Sequence, residues 1–362
     1  LLGSDTHLNW FRNQIQQKYQ ITVGGRLGPE EGDNKSVRIL NRVVEWTKDG
    51  INYEADQRHA EIIIDQLNAK TMTVLSNPGT KTKPSECSEQ DLKEIDKSSS
   101  TQFRALTARA NYLSQDRSDI RFSVKTLSRW MSKPRAVDYE NLVRLARYLK
   151  GVPRIVNHYV YQSNWKILDI WTDTDHAGCP WTRKSTTGGM LMFGQHPIKH
   201  WSTSQAVIAL SSGEAEYYGC VKAGSVAIGI KSMLNDMGVT KDRIRIKTDA
   251  SVAKSLAARR GLGGIKHIEV NQLWLQEKVN NGQIEIEKVR TDVNLADALT
   301  KFKEQASITY HLKETHQIQR SGRHEIMPAL SKKVGPNDTS LLTVMSEEGE
   351  TNEIFQSKSF PY

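Results

Sequence analysis

The chain has 362 residues, 37% of them hydrophobic and 25% charged, with a formal net charge of +9. That is the balance of a globular protein on the polar side, long enough for two or three domains, and no apolar run approaches the roughly 18 residues of a membrane-spanning helix. The basic surplus suits a polyanionic partner, while three well-separated cysteines, Cys87, Cys179 and Cys220, argue against a disulfide framework and a cysteine-ligated zinc site.

The first residues, Leu1-Leu2-Gly3, lack a Met and a signal-peptide pattern, and the chain reads as a piece of something longer. Residues 5 to 28 are expected as a helix, with Leu8, Phe11 and Ile15 on one face, then a strand and a Gly-rich turn. A second helical unit is expected from about Lys35 to Trp46. A short strand near Asn52 to Glu54 and a helix carrying Ile62, Ile63 and Leu67 follow. Asn-Pro-Gly, Lys-Pro and a Ser run between residues 76 and 100 are linker chemistry.

Three helical stripes come next: Phe103, Leu106, Ala110 and Leu113; Ile120, Val124, Leu127 and Met131; Leu142, Leu145, Ala146 and Leu149. Gly151 and Pro153 stop the last one. From Arg154 the period changes to that of strands, in "RIVNHYVYQ", "KILDIWTD", "GGMLMFG" and "PIKHWS". A helix begins near Ser211, where Ser211 and Glu214 have the spacing of a capping box, and ends at Gly238. Strand "RIRIKTD", a short helix to Gly261, a longer helix through Leu275 and Val279, strand "QIEIEKV" and a last helix "NLADALTKF" complete the ordered part. Beyond Phe302 the sequence is polar and turn-rich, and a disordered tail is expected.

Four carboxylates recur at equivalent places in this α/β order. Asp173 and Asp249 end strands, Glu216 lies in the first turns of a helix, and Asp297 in the first turn of the last one. Strand ends and helix starts are where α/β sheets build sites. Each acid alone suits a turn or a cap. Clustered, they would repel and call for a hard divalent cation such as Mg²⁺ or Mn²⁺. Two such ions can act together in phosphodiester cleavage. Arg183, Lys184, Arg259, Arg260, Lys266 and His267 follow the acid-bearing strands as candidate contacts to a nucleic-acid backbone.

The strings "WTDTDHAGCPWTRKSTTGG", "IKHWSTSQAVIALSSGEAEYYG", "IKTDASVAKSL", "IKHIEVNQLWLQEKV" and "VRTDVNLADALTK" make residues 163 to 302 resemble the ribonuclease H domain of Ty1/copia-type retrotransposon polyproteins. Upstream, "DIRFSVKTLSRWMSKPRAVDYENLVRLARYLKG" resembles the connection between polymerase and ribonuclease H. "LNWFRNQIQQKYQ" and "RILNRVVEWTKDGINYEADQRHAEII" resemble the segment after the reverse transcriptase catalytic strand. The resemblance implies an α/β fold: a ribonuclease H-like mixed five-stranded sheet with flanking helices, preceded by a mostly helical thumb and connection region. It divides the chain into a reverse transcriptase remnant (1–75), a linker (76–100), a helical connection (101–162), a ribonuclease H-like domain (163–302) and a tail (303–362).

It further implies that Asp173, Glu216, Asp249 and Asp297 are metal ligands, with Asp175 the runner-up to Asp173 and Glu214 a cap beside Glu216. The activity implied is metal-dependent hydrolysis of RNA in RNA–DNA hybrids. The remainder of the Pol polyprotein would be a partner, in the cytoplasm (virus-like particle) or nucleus. His176 stands where the family usually has Trp, Gly213 where it has Thr or Ala, and residues 289–295 hold no His. The chain contains no Asp-Asp dipeptide, so no complete polymerase site is expected. A catalytically silent nucleic-acid-binding fragment, or a retroelement relic, is the alternative.

Overall fold

Two five-stranded sheets organise the chain, and the computed structural model describes residues 3–163, 166–239, 243–261 and 273–330 of it. The first part runs α1 (Asp5–Gln16), β1 (Ser36–Ile39), β2 (Arg42–Thr47), β3 (Gly50–Glu54), α2 (Arg58–Gln66), α3 (Glu89–Leu92), α4 (Lys97–Leu113), α5 (Arg121–Ser128), α6 (Ala136–Gly151) and β4 (Arg154–Val160). The second part runs β5 (Ile167–Asp175), β6 (Thr186–Phe193), β7 (His196–Ser204), α7 (Ser212–Asp236), β8 (Arg243–Thr248), α8 (Ser251–Ala258), α9 (Trp274–Asn280) and β9 (Ile284–Lys288). Then α10 (Gln305–Glu314) and β10 (Gln317–Arg320) follow.

The first sheet has the order β1-β2-β3-β4-β10 and is antiparallel throughout. The upstream region therefore carries a sheet as well as helices. The helical unit expected from Lys35 to Trp46 is instead the β1–β2 hairpin. Val37, Leu40 and Val44 have helical spacing, but Leu40 and Asn41 both take positive φ, at 49° and 61°, and make the two-residue turn that reverses the chain. The strand expected after α1 is absent among the described residues, where residues 20–28 hold only an isolated bridge from Leu27 to Asn34.

The expected linker is partly helical. Asp96 Oδ1 accepts the backbone N–H groups of Ser98 and Ser99, at 2.8 and 3.0 Å, so the Ser run opens α4 rather than a loop. Helices α2, α4, α5 and α6 pack their apolar stripes together, with Ile63, Phe103, Leu106, Leu142 and Leu145 fully buried.

The expected tail also needs correction between residues 305 and 320. Ile308 and Leu312 of α10 bury against Ile155 of β4, and β10 pairs with β4 from Gln317 opposite Asn157 to Arg320 opposite Arg154. Gln317 Nε2 donates to Asn157 Oδ1 (2.7 Å), and Ser118 Oγ donates to Gln317 Oε1 (2.6 Å). These buried bonds satisfy the polar groups that would otherwise oppose closure.

The second sheet has the order β7-β6-β5-β8-β9, with β5, β6 and β7 antiparallel and β5, β8 and β9 parallel. This is the mixed ribonuclease H-like arrangement. Alternation along β5 sets what each face does. Leu168 and Ile170 bury under α7, with Tyr217 and Cys220. On the other face Trp171 packs with Met190, Met192, Leu295 and Leu299. The expected last helix is reduced to 3-10 turns at Thr291–Val293 and Asp297–Leu299. No helix among the described residues is long and apolar enough to cross a membrane.

Candidate metal centre

Three acids meet at the C-terminal end of β5. Asp173, Glu216 and Asp249 each offer a carboxylate oxygen within 4.8 Å of the other two. Asp173 comes from the strand itself, two residues before its end. Asp249 follows the last residue of β8, which lies parallel to β5. Glu216 sits in the second turn of α7, whose start is fixed by Ser211: its Oγ accepts the Glu214 N–H at 3.2 Å. Glu214 reaches back one residue beyond the expected box, accepting from Leu210 N–H at 2.9 Å, and also accepts from Tyr218 Oη at 2.8 Å. It serves the helix start and leaves Glu216 to face the strand.

Glu216 Oε1 accepts the backbone N–H of Thr174 at 3.1 Å. Its Oε2 is buried without a hydrogen-bond partner. Burial, with Asp173 and Asp249 adding, pushes the Glu216 carboxyl up to about 9. Burial likewise raises Asp173 to about 6, against the hydroxyl of Thr300, which donates to Asp173 Oδ2, and the nearby charge of Lys301. Among the described residues none of the three carboxylates is in an ion pair. A largely buried acid cluster with an orphaned oxygen and no ion pair fits a hard divalent ion, which oxygen donors suit.

Asp297 is outside the group of three. Its carboxylate is paired with Lys301 at 2.5 Å and with Lys303. It still adds to the field that raises Asp173. Asp175, two residues along β5, is half-buried on the same side and lies outside the three-acid group. Arg183 is exposed and Lys184 half-buried in the loop after β5, and Arg259 and Arg260 are exposed after α8. Lys266 and His267 lie outside the described residues. His176 bonds through Nε2 to the carbonyl of Ala209 at 3.2 Å.

Thr300, Lys301 and Asn294 do not stand out in the sequence. Asn294 Nδ2 donates to the carbonyl of Thr172 at 3.0 Å and so ties the 3-10 segment to β5. Gly188 makes that approach possible: a Cβ there would stand 2.7 Å from Thr300 Cγ2 and 2.9 Å from the Ala296 carbonyl oxygen. The Gly-Gly pair after "KSTT" is the available signal, since Gly inside a strand marks a close approach.

No protein-family model matches the chain. It is 30% identical over 205 residues to the retrovirus-related Pol polyprotein from transposon RE1 of Arabidopsis thaliana, covering 56% of this chain and 14% of that protein. It is 31% identical over 186 residues to the corresponding polyprotein from transposon TNT 1-94 of Nicotiana tabacum, covering 51% and 14%. Among solved structures it is similar to the N-terminal RNase H domain of rv2228c from Mycobacterium tuberculosis, with TM-score 0.26 and 12% identity over 41% of this chain and 96% of that one. It is also similar to the foamy viral protease-reverse transcriptase in complex with dsDNA, with TM-score 0.40 and 11% identity over 72% and 46%. The chain spans 14% of the length of either transposon polyprotein and, with its ribonuclease H-like mixed sheet, is similar to a segment of these retrovirus-related Pol polyproteins.

Proposed function

We propose that this segment hydrolyses the RNA strand of RNA–DNA hybrids. The observation that carries the reading is the group of three carboxylates at the end of β5, two buried and one half-buried, within 4.8 Å of one another and, among the described residues, in no ion pair. Asp173, Glu216 and Asp249 would hold magnesium or manganese, two ions in this reading, with Asp297 joining if Lys301 and Lys303 release it. When bound, such an ion supplies charge neutralisation and Lewis acidity at a phosphodiester.

The protein's own groups do the rest. Thr300 orients Asp173, and the Thr174 N–H orients Glu216, so the carboxylates are set before any ion arrives. Arg183, Lys184, Arg259 and Arg260 would face the backbone, and hybrid selectivity would come from 2′-hydroxyl contacts rather than base reading. In the same reading, residues 1–162 are the end of the reverse transcriptase and its connection, and the rest of the polyprotein is the partner.

The test is cleavage of a labelled hybrid by the full chain in magnesium. Asp173→Asn is expected to lower the rate at least about 100-fold with the thermal melt retained. Unchanged cleavage in that variant would end the assignment. Hybrid binding without turnover in the wild type would favour the silent binding fragment instead.

A further inference from the structure

A groove of about 300 Å³ opens beside Asp175, two residues along β5 from Asp173, between the α5 region and the loop that follows β5. Lys81, Lys125 and Arg129 line it from the upstream region, and Asp175, Trp181 and Lys301 from the other side. Two cations here, Lys125 on α5 and Arg129 just past its end, lack an acidic partner at ion-pair distance among the described residues. Lys125 Nζ donates to Thr186 Oγ1 at 2.7 Å, at the start of β6, and lies 5.4 Å from the Phe122 ring centre. Arg129 gives Nη1 to Cys179 Sγ at 2.5 Å and Nη2 to Ser204 Oγ at 3.2 Å. Among the described residues neither meets a carboxylate at ion-pair distance.

Arg135, in the same groove, is different. It is held by Asp138, with Nε at 2.8 Å and Nη2 at 3.0 Å, and stacks on Trp130 and Trp181 with its guanidinium 3.6 and 4.0 Å from the ring centres. It builds the wall and has no charge to spare. Lys125 and Arg129 do.

We propose that Lys125 and Arg129 form a phosphate subsite, holding one stretch of the hybrid's sugar-phosphate backbone against the acid site from outside the second sheet. This rests on the hybrid-hydrolysis reading above. A cation taken out of water without a counter-ion is costly, and a phosphate oxygen supplies both the charge and the acceptor geometry that these donors lack. Burial, with Arg129 adding, lowers the Lys125 ammonium to about 7, and a phosphate beside it would favour the charged form. Asp175 is the one acid lining the groove apart from the paired Asp138. The balance left for an incoming anion is positive. The upstream region is thus a positioning part of the nuclease.

The experiment measures binding of a short fluorescent RNA–DNA hybrid to the full chain across a salt series, with calcium in place of magnesium, and cleavage in magnesium alongside. Lys125→Met and Arg129→Gln are each expected to weaken binding about 3–10-fold and to lower the slope of log affinity against log salt by about one, with KM rising in step. Arg129→Lys is expected to keep the slope. Arg129 is only part-buried, so Arg129→Gln serves if Lys125→Met fails to fold, with the melt as the check. Unchanged affinity and slope in folded Arg129→Gln would overturn the subsite even where the wild type cleaves. A wild type that does not cleave, with variants that still lose affinity and slope, would overturn hydrolysis and leave the subsite standing.

Discussion

The two sheets have five strands each, and the surroundings of the first and the C-terminal end of β5 in the second treat buried charge in opposite ways. Around the first sheet, acids are matched one by one with arginines. Arg154 holds Glu54 with Nε at 2.6 Å and Nη2 at 2.8 Å, and Arg42 holds Asp116 at 3.0 Å. Arg117 meets Asp119 at 2.6 Å, with both side chains essentially shut off from solvent, and Tyr148 Oη adds a bond to Asp119 at 2.8 Å. Around the end of β5 three acids are gathered, and among the described residues no arginine is supplied to them. Matched charge holds an architecture in place. Unmatched acids carry a standing cost that a retained proton or a bound cation offsets, and they mark the site more clearly than any single residue does.

That contrast can be broken from either side. The largest effect is expected from Arg117→Met, which leaves Asp119 buried and unpaired and should cost about 3–5 kcal/mol in a denaturant melt. A loss below about 1 kcal/mol would mean that the first sheet does not depend on charge matching. Gly188→Ala comes next. Its Cβ meets the backbone of Ala296, which cannot swing away, so about 1–3 kcal/mol should be lost, and cleavage should fall as Thr300 is pushed off Asp173. Wild-type stability and activity in that variant would remove the packing argument.

The smallest effect has the opposite sign. With Glu216 at about 9 and Asp173 at about 6, the folded, metal-free protein keeps protons that the unfolded chain releases from about pH 4 upward. Stability without metal should therefore fall as pH rises from about 5 to 9. Glu216→Gln keeps an oxygen for the Thr174 N–H and removes the charge. It should gain about 1 kcal/mol at pH 8 and flatten the pH slope, while shrinking the rise in melting temperature that magnesium gives the wild type. A destabilised Glu216→Gln with the slope intact would show that the acids are compensated after all.

Sequence was most informative where one period ran long. The alternation of β5 and the start and stop of α7 could be read directly, because Leu168 and Ile170 take one face of the strand, and Ser211 and Gly238 punctuate the helix. The β1–β2 hairpin was hidden. Its turn uses Leu40 and Asn41 rather than Gly, and Val37, Leu40 and Val44 imitate a helix face. The α10–β10 segment was hidden for another reason. "QIQR" carries no strand pattern of its own, and its order comes from Asn157 and Ser118, far away in sequence. At the site, each acid was visible as a strand-end or helix-start residue, but their convergence followed from the family resemblance. Asp297 was placed with the others by that resemblance, whereas the geometry gives its carboxylate to Lys301 and Lys303. Lys301 stands four residues on from Asp297, a spacing at which an ion pair can be read from sequence, and Lys303 follows two residues later.

The position of β10 has a consequence for synthesis. The first sheet is opened by β1 to β4 and closed by a strand made after the whole second sheet. At roughly 5–20 residues per second, the edge of β4 waits on the order of ten seconds for its partner while the nascent chain lengthens. During that interval the edge is a free strand, open to mispairing with another chain. The second sheet, whose strands are close in sequence, can close first. The nuclease-like half would then act as a spacer whose own folding brings residue 317 back to residue 157.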